Sequence, residues 1–269
     1  MDNSHFFAIG RMPELHNSLL FEHPLNERTR TLLRISHLFE QFEYHLPASS
    51  PWQSRAAVQA LLDIVSILGR ADIKQELIKQ LEQQKQSLER IGDNPGVDQV
   101  RLHQVLEDID RMSERLFATT SQLGSSLRKN EFLNGIAQRM PIPGGSFEFD
   151  LPQLHYWLNL PHTERVMQLD DWRHEISVVQ ETTDLLLGTL RHSNVFRPRS
   201  ASNGFFQQSL DKNRRVDLIQ VLLPAETFLY AEISGNKHRF CIRFMESIQW
   251  EQPEQTSQEV AFKLKTCHI

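Results

Sequence analysis

The feature that most constrains this chain is a single change of hydrophobic period. From Asn26 to Leu190 apolar residues recur at three- and four-residue spacing; from Val195 onward that spacing is gone and short segments alternate with period two. A period near 3.6 marks amphipathic helices, and a period of two marks half-buried strands. The chain is therefore read as an α+β fold, a mostly helical domain packed with an antiparallel β-sheet domain.

The helical stretch divides at its turn residues. Asn26 is a good N-cap for a first helix, with Leu32, Leu33, Ile35, Leu38, Phe39, Phe42 and Leu46 at helical spacing before Pro47. The second helix is expected over about 52–68, closed by Gly69, and the third over 72–90. Gly92-Asp93-Asn94-Pro95-Gly96 is a turn. A fourth helix over 97–119 directs Val97, Val100, Val105, Leu106, Ile109, Met112 and Leu116 inward, and a fifth spans 121–139. Pro141-Ile142-Pro143-Gly144-Gly145 is the strongest break, and residues 146–151 then alternate as a strand would. A short aromatic helix over 154–160 and one long helix or two over 163–190 complete the body.

Beyond it, Phe205-Phe206 and the runs 216–223, 228–233, 238–245 and 260–264 read as strands. Leu19–Pro24 and 146–151 are expected to complete their sheet. The helical domain is thus placed at 25–141 and 152–194, and the β domain at 19–24, 142–151 and 195–269. Residues 1–18 form an N-terminal extension that is expected to be flexible, and Met12 is an alternative start.

Composition narrows the function classes. The net charge of −5 argues against a general nucleic-acid coat. The charge is uneven, however: residues 196–245 hold eight Lys/Arg against four acids, +4, which leaves −9 for the rest. Two distant cysteines, Cys241 and Cys267, make a disulfide framework unlike this chain and point to a reducing cytosol. No apolar run reaches the roughly 20 residues that span a bilayer, and the first residues lack the pattern of a secretory signal. There is no HExxH, no phosphate-binding loop and no GxSxG elbow. Cys241 lies between cations, but no histidine is placed by sequence as its base. The residues read as a binding module with no enzymatic constellation and no cofactor.

The sharpest binding candidate is the stretch Ser234–Met245. His238, Phe240, Ile242 and Phe244 fall on one face; Lys237, Arg239, Cys241 and Arg243 fall on the other. Arg239 and Arg243 share that outer face about 13 Å apart at roughly 3.3 Å per residue. Each guanidinium can grip a carboxylate through two parallel hydrogen bonds. The same pattern also fits a solvated strand whose arginines discourage edge pairing.

Several ordered stretches, taken together, resemble the ZapD family. They are Leu20–Glu27, Pro95–Gln99, Ile142–Gly145, Phe149–Pro152, Ser202–Phe205 and Ser234–Met245, and the resemblance covers nearly all of 19–265. It implies a cell division factor that binds the tubulin-like GTPase FtsZ and bundles its filaments in the cytokinetic ring. It further implies a homodimer, a cytosolic location with recruitment to midcell, and no catalytic activity. In the family a basic pocket takes the C-terminal tail of FtsZ, and the matching positions here are Arg70, Arg239 and Arg243. Lys74 is added by its spacing from Arg70, and Lys237 by the strand alternation. The C-terminal stretch Lys263–Ile269 departs from the family pattern, so no role for Cys267 carries over. The alternative from another class is a single-stranded nucleic-acid binder that uses the same basic strand with Phe205 and Phe206 as stacking platforms.

Overall fold

The computed structural model describes residues 17–70, 72–92, 96–211, 215–246 and 253–268. Most of the expected N-terminal extension, with Met12, lies outside them. The chain forms two compact units. One is Leu32–Leu186; the other is Leu187–Ile269 together with the N-terminal segment up to Thr31. The α+β class read from the sequence is the class observed.

The second unit is a sandwich of two antiparallel sheets. The first sheet has the order β1 (Ser18–Pro24), β4 (Leu218–Pro224), β8 (Val260–Cys267), β2 (Arg197–Ala201). The second has the order β3 (Phe205–Ser209), β6 (Arg239–Glu246), β5 (Leu229–Gly235), with the short β7 (Glu254–Gln255) also paired to β6. Strand alternation supplies the core between them. Ile219, Val221 and Leu223 of β4 meet Phe240, Ile242 and Phe244 of β6, with Val260, Phe262 and Leu264 of β8 beside them. The Phe244 and Phe262 rings lie 4.9 Å apart, within the range of favourable aromatic pairs. Phe206 packs into the same core, 5.3 Å from Phe262 and 6.3 Å from Phe240. It is therefore no outward stacking platform, and the nucleic-acid reading loses one of its two rings.

On the other face of the first sheet runs a row of polar residues, of which Gln220 and Lys265 are buried and Glu22 half-buried. Glu22, Gln220 and Lys265 sit opposite one another on β1, β4 and β8. Arg191 donates to both Glu22 oxygens at 3.0 and 2.6 Å, and Gln220 donates to Glu22 at 2.6 Å. Lys265 donates to the Arg191 carbonyl at 2.8 Å and lies over the Phe196 ring. Every charge in the row has a partner, as burial demands. At the sandwich edge Asn26 accepts from the Thr29 amide at 2.9 Å, the cap expected of it, and donates to Asp217 at 2.7 Å.

The Leu32–Leu186 unit is built from α1 (Glu27–His45, which begins in the other unit), α2 (Pro51–Leu68), α3 (Ile73–Ile91), α4 (Gln99–Ala118), α5 (Ser125–Lys129), α6 (Glu131–Arg139), α7 (Pro152–Leu158), α8 (His162–His174) and α9 (Ser177–His192, which ends in the other unit). Ile35, Phe42, Leu61, Ile64, Leu81 and Leu116 are among its fully buried side chains. Phe132, Trp157 and Trp172 form a ring cluster with centroids 5.9–6.0 Å apart. Arg165 is buried and donates to the Ser54 hydroxyl (3.0 Å) and to the carbonyls of Ser49 (2.5 Å), Leu158 (3.1 Å) and Leu160 (2.6 Å).

Four expectations are corrected. Residues 146–151 form no strand. Their backbone is satisfied by consecutive turns, such as Asp150 N to Phe147 O at 3.0 Å, and they lie within the helical unit. The fifth helix is two, because Asn130 leaves the helical conformation at ψ 116° and its side chain caps α6 through the Leu133 amide. Val100 points outward on α4, whose buried residues are Ile109, Met112 and Leu116. The strand expected from His238 begins instead at Arg239, and His238 is exposed in the preceding turn.

Candidate partner-binding face

The outer face of the second sheet follows from the register of three strands. Phe240, Ile242 and Phe244 of β6 point into the sandwich, so Arg239, Cys241 and Arg243 point away from it. Opposite residues on adjacent strands share a face. One row therefore holds Phe205, Arg243 and Glu232, the next Gln207, Cys241 and Ser234, and Ser209 stands beside Arg239. Met245 and Tyr230, half-buried, form the row beyond Arg243. The face thus offers two guanidinium groups flanked by an aromatic and a thioether side chain.

Both arginines are exposed, and among the described residues neither side chain makes an ion pair or hydrogen bond. Cys241 lies between them, its sulfur 3.0 Å from the Ser234 hydroxyl. The hairpin that leads into β6 is fixed by Asn236, whose side chain accepts from the amides of His238 (2.9 Å) and Arg239 (3.2 Å). Gly235 is required there. A Cβ would stand 2.8 Å from both Leu25 Cδ2 and Phe240 Cβ. Lys237 therefore sits exposed at the hairpin tip, not in the strand with the arginines.

The other two candidates belong to the helical unit. Arg70 is exposed in the turn after α2, its Nε 3.7 Å from an Asp72 oxygen. Lys74 is on α3, and its ammonium donates to the Thr119 carbonyl at 2.5 Å. Thr119 is the C-cap of α4, where a cation satisfies an orphan carbonyl and complements the helix dipole. Lys74 thus has a structural task that spacing alone did not reveal. The β unit brings together Arg239 and Arg243, with Lys237 at the end of the same hairpin. Glu232, Tyr230 and Met245 were missed, because their place on the face depends on strand pairing and not on any local pattern.

Chemically the face can hold carboxylates by bidentate hydrogen bonds and apolar side chains beside them. Cys267 is fully buried, and burial pushes its thiol up to about 12, which leaves it unsuited to nucleophilic work at neutral pH. No group of three His, Cys, Asp or Glu side chains suited to a metal occurs among the described residues. No described helix is long and apolar enough to cross a membrane.

Fold and face together define a class: an α+β protein of one helical and one β-sandwich unit, with an open cationic sheet face. The chain matches the ZapD family, described as a cell division protein, over residues 33–243. It is 39% identical to Cell division protein ZapD of Methylococcus capsulatus over 94% of this chain and 99% of that protein. It is 39% identical to the one of Chromobacterium violaceum over 92% and 98% of the two chains. For Pectobacterium atrosepticum the identity is 37% over 87% and 92%. The chain belongs to the ZapD family of cell division proteins, and its role is in cell division.

Proposed function

We propose that this protein binds the C-terminal tail of FtsZ and, as a homodimer, cross-links FtsZ filaments into bundles in the cytokinetic ring. The observation that carries the reading is the exposed pair Arg239 and Arg243, without side-chain partners among the described residues, on a sheet face that also presents Phe205 and Met245. A guanidinium that is exposed and unengaged is free to grip a carboxylate. The neighbouring apolar side chains add contacts for the tail's apolar residues. Lys237 extends the charge to the hairpin tip, and Arg70, with Lys74, is the helical unit's own candidate for acidic residues of the partner.

Ordering a flexible tail costs conformational entropy, so a single capture is weak. Two copies of the face on one dimer raise the effective concentration for the second tail and tie two filaments together. A monomer of this kind decorates a filament without bundling it. The reading makes the protein a non-catalytic cytosolic factor recruited to midcell.

The test is co-sedimentation with GTP-assembled FtsZ beside FtsZ that lacks its tail. Pelleting with the intact partner alone is expected. Pelleting with both discards the tail as the target, and pelleting with neither discards FtsZ.

A further inference from the structure

The sheet that carries Arg239 and Arg243 ends in β3, which pairs with β6 on one side and, among the described residues, with no strand on the other. In an antiparallel ladder, bonded and unbonded residue pairs alternate. The Phe244 amide donates to the Gly204 carbonyl at 2.8 Å, and the Leu210 amide to the His238 carbonyl at 2.7 Å. That fixes the phase: Phe206 and Gln208 bond to β6. Gln207 and Ser209 therefore turn their N–H and C=O groups to the free edge. Among the described residues none of these groups has a partner.

Open strand edges pair readily, and proteins guard them with proline, with charge or with a covering segment. The other edges of the sandwich are guarded in these ways. β2 carries Arg197, Pro198 and Arg199. β1 closes on Pro24 and lies alongside β5, which carries Glu232. β3 reads Phe205-Phe206-Gln207-Gln208-Ser209, with no proline and no charge. It is a template for one more strand.

We infer that β3 accepts an extended peptide with carboxylate side chains as an added antiparallel strand, and that the tail proposed above is held in this way. The inference rests on the tail-binding reading and gives it a backbone geometry. Charge chooses the occupant. Side chains of an added strand level with Gln207 and Ser209 share the outer face with Arg239 and Arg243. They stand two strand spacings from β6, about 10 Å, a gap that an arginine and a glutamate side chain reach across together. On the other flank, β2 leaves β3 through a tight turn, in which the Phe205 amide donates to the Ser202 carbonyl at 3.1 Å. Arg197 and Arg199 stand opposite Leu264 and Phe262, on the side of β2 that faces the second sheet, and both are exposed. Cations thus border the edge on both flanks. The acids next to these strands in the chain are Glu259, which accepts from the Ser200 hydroxyl at 2.6 Å, and Asp211 just past β3. This balance favours an acidic segment over a basic one, and main-chain pairing favours a peptide over a nucleic acid or a lipid. A second copy of β3 brings no acid to the arginines.

The probe is a synthetic peptide of the FtsZ C-terminal tail, titrated into the full chain and followed by fluorescence anisotropy. N-methylation removes its amide donors one at a time. Binding should fall at least tenfold, the scale of an unmade hydrogen bond, at alternate residues of the bound segment, and should change little at the residues between, because every second amide of an added strand faces β3. Gln207→Pro removes an outward donor and leaves the bonds to β6 in place. It should weaken binding at least tenfold with an unchanged melting temperature. Amide exchange needs no substitution: the Gln207 and Ser209 amides should exchange at least tenfold more slowly in the complex, while those of Phe206 and Gln208 stay protected throughout. A peptide that binds and is lost with Arg239→Glu, yet shows neither the alternation nor the new protection, overturns the added strand and leaves the tail reading standing. An unmodified peptide that does not bind overturns both. Gln207 and Ser209 amides already protected in the free chain would mean that a second copy or another segment holds the edge, which overturns the inference as well.

Discussion

Glu232 stands directly opposite Arg243 across the β5–β6 ladder, on the outer face of the sandwich. Strand side chains in that relation have Cβ atoms about 5 Å apart. The carboxylate is therefore the nearest rival to any acid that approaches Arg243. The strand read in isolation carries no acid on that face; the sheet supplies one from its neighbour.

The first prediction follows from this competition. Glu232→Gln should tighten binding of an acidic tail peptide about two- to fivefold, the scale of a cross-strand charge pair. Arg243→Glu and Arg239→Glu should abolish binding while the circular dichroism melt stays unchanged. Fluorescence anisotropy at fixed salt reads all three. Weaker binding by Glu232→Gln would mean that Glu232 positions Arg243 instead of competing with ligand.

The strand register predicts a sharp contrast between two phenylalanines. Phe240 is fully buried against Phe206, and Phe228 is 87% exposed. Phe240→Asp should cost more than the ~3–5 kcal/mol of a Phe→Ala truncation, because it also buries a charge. The β unit should then be lost from the thermal melt. Phe228→Asp should melt like the parent. A folded Phe240→Asp protein would shift the register of β6 by one residue.

Thiol labelling separates the two cysteines. Cys267 is fully buried and its thiol is pushed up to about 12 by burial, whereas Cys241 is only half-buried on the outer sheet face. A thiol reagent at pH 8 should modify one cysteine in the folded protein and two in denaturant. Saturating tail peptide should slow the single reaction, since its site lies between the two arginines. Rapid labelling of both thiols in the native state would contradict the packing of β8.

Asp217 gives a pH dependence whose sign can be stated. Burial raises its carboxyl above the ordinary 3.8, with Arg215 and then the Asn26 hydrogen bond opposing the rise. The folded state therefore binds this proton more tightly than the unfolded state does. The group's contribution is fully present below 3.8 and is lost as pH rises through the higher folded value. Asp217→Asn should remove that loss, because the amide oxygen can still accept from Asn26. Its stability should exceed that of the parent at pH 7 and vary less between pH 3 and 6 in urea titrations. Equal pH profiles for the two proteins would place the titration elsewhere.

The helices were legible because each buries a stripe of its own, as Ile35, Phe39 and Phe42 do on α1. The strands β4, β6 and β8 were legible for the same local reason. β2 was not: Arg197–Ala201 is a polar edge strand, and four of its five residues are exposed. Residues 146–151 misled because Phe147-Glu148-Phe149 alternates in sequence, while among the described residues no strand pairs with it to take the hydrogen bonds. The two-sheet arrangement was invisible, since it is set by pairings such as Phe21 with Val221 across 200 residues. For the candidate site, alternation put Arg239 and Arg243 on one strand face, and the family resemblance made them binding candidates. The hairpin that moved Lys237 off the strand and the pairing that added Glu232 needed the folded chain.

Arg165 joins the loop between α1 and α2 to the loop between α7 and α8, segments more than 100 residues apart. Its charge is balanced by oxygen dipoles, not by a carboxylate, among the contacts described. Neither loop can leave the other without stranding a cation and several carbonyls in an apolar interior, at several kcal/mol. The two ends of the helical unit are thereby made to unfold together. Partial opening is suppressed, and the unit should lose its structure in a single cooperative step.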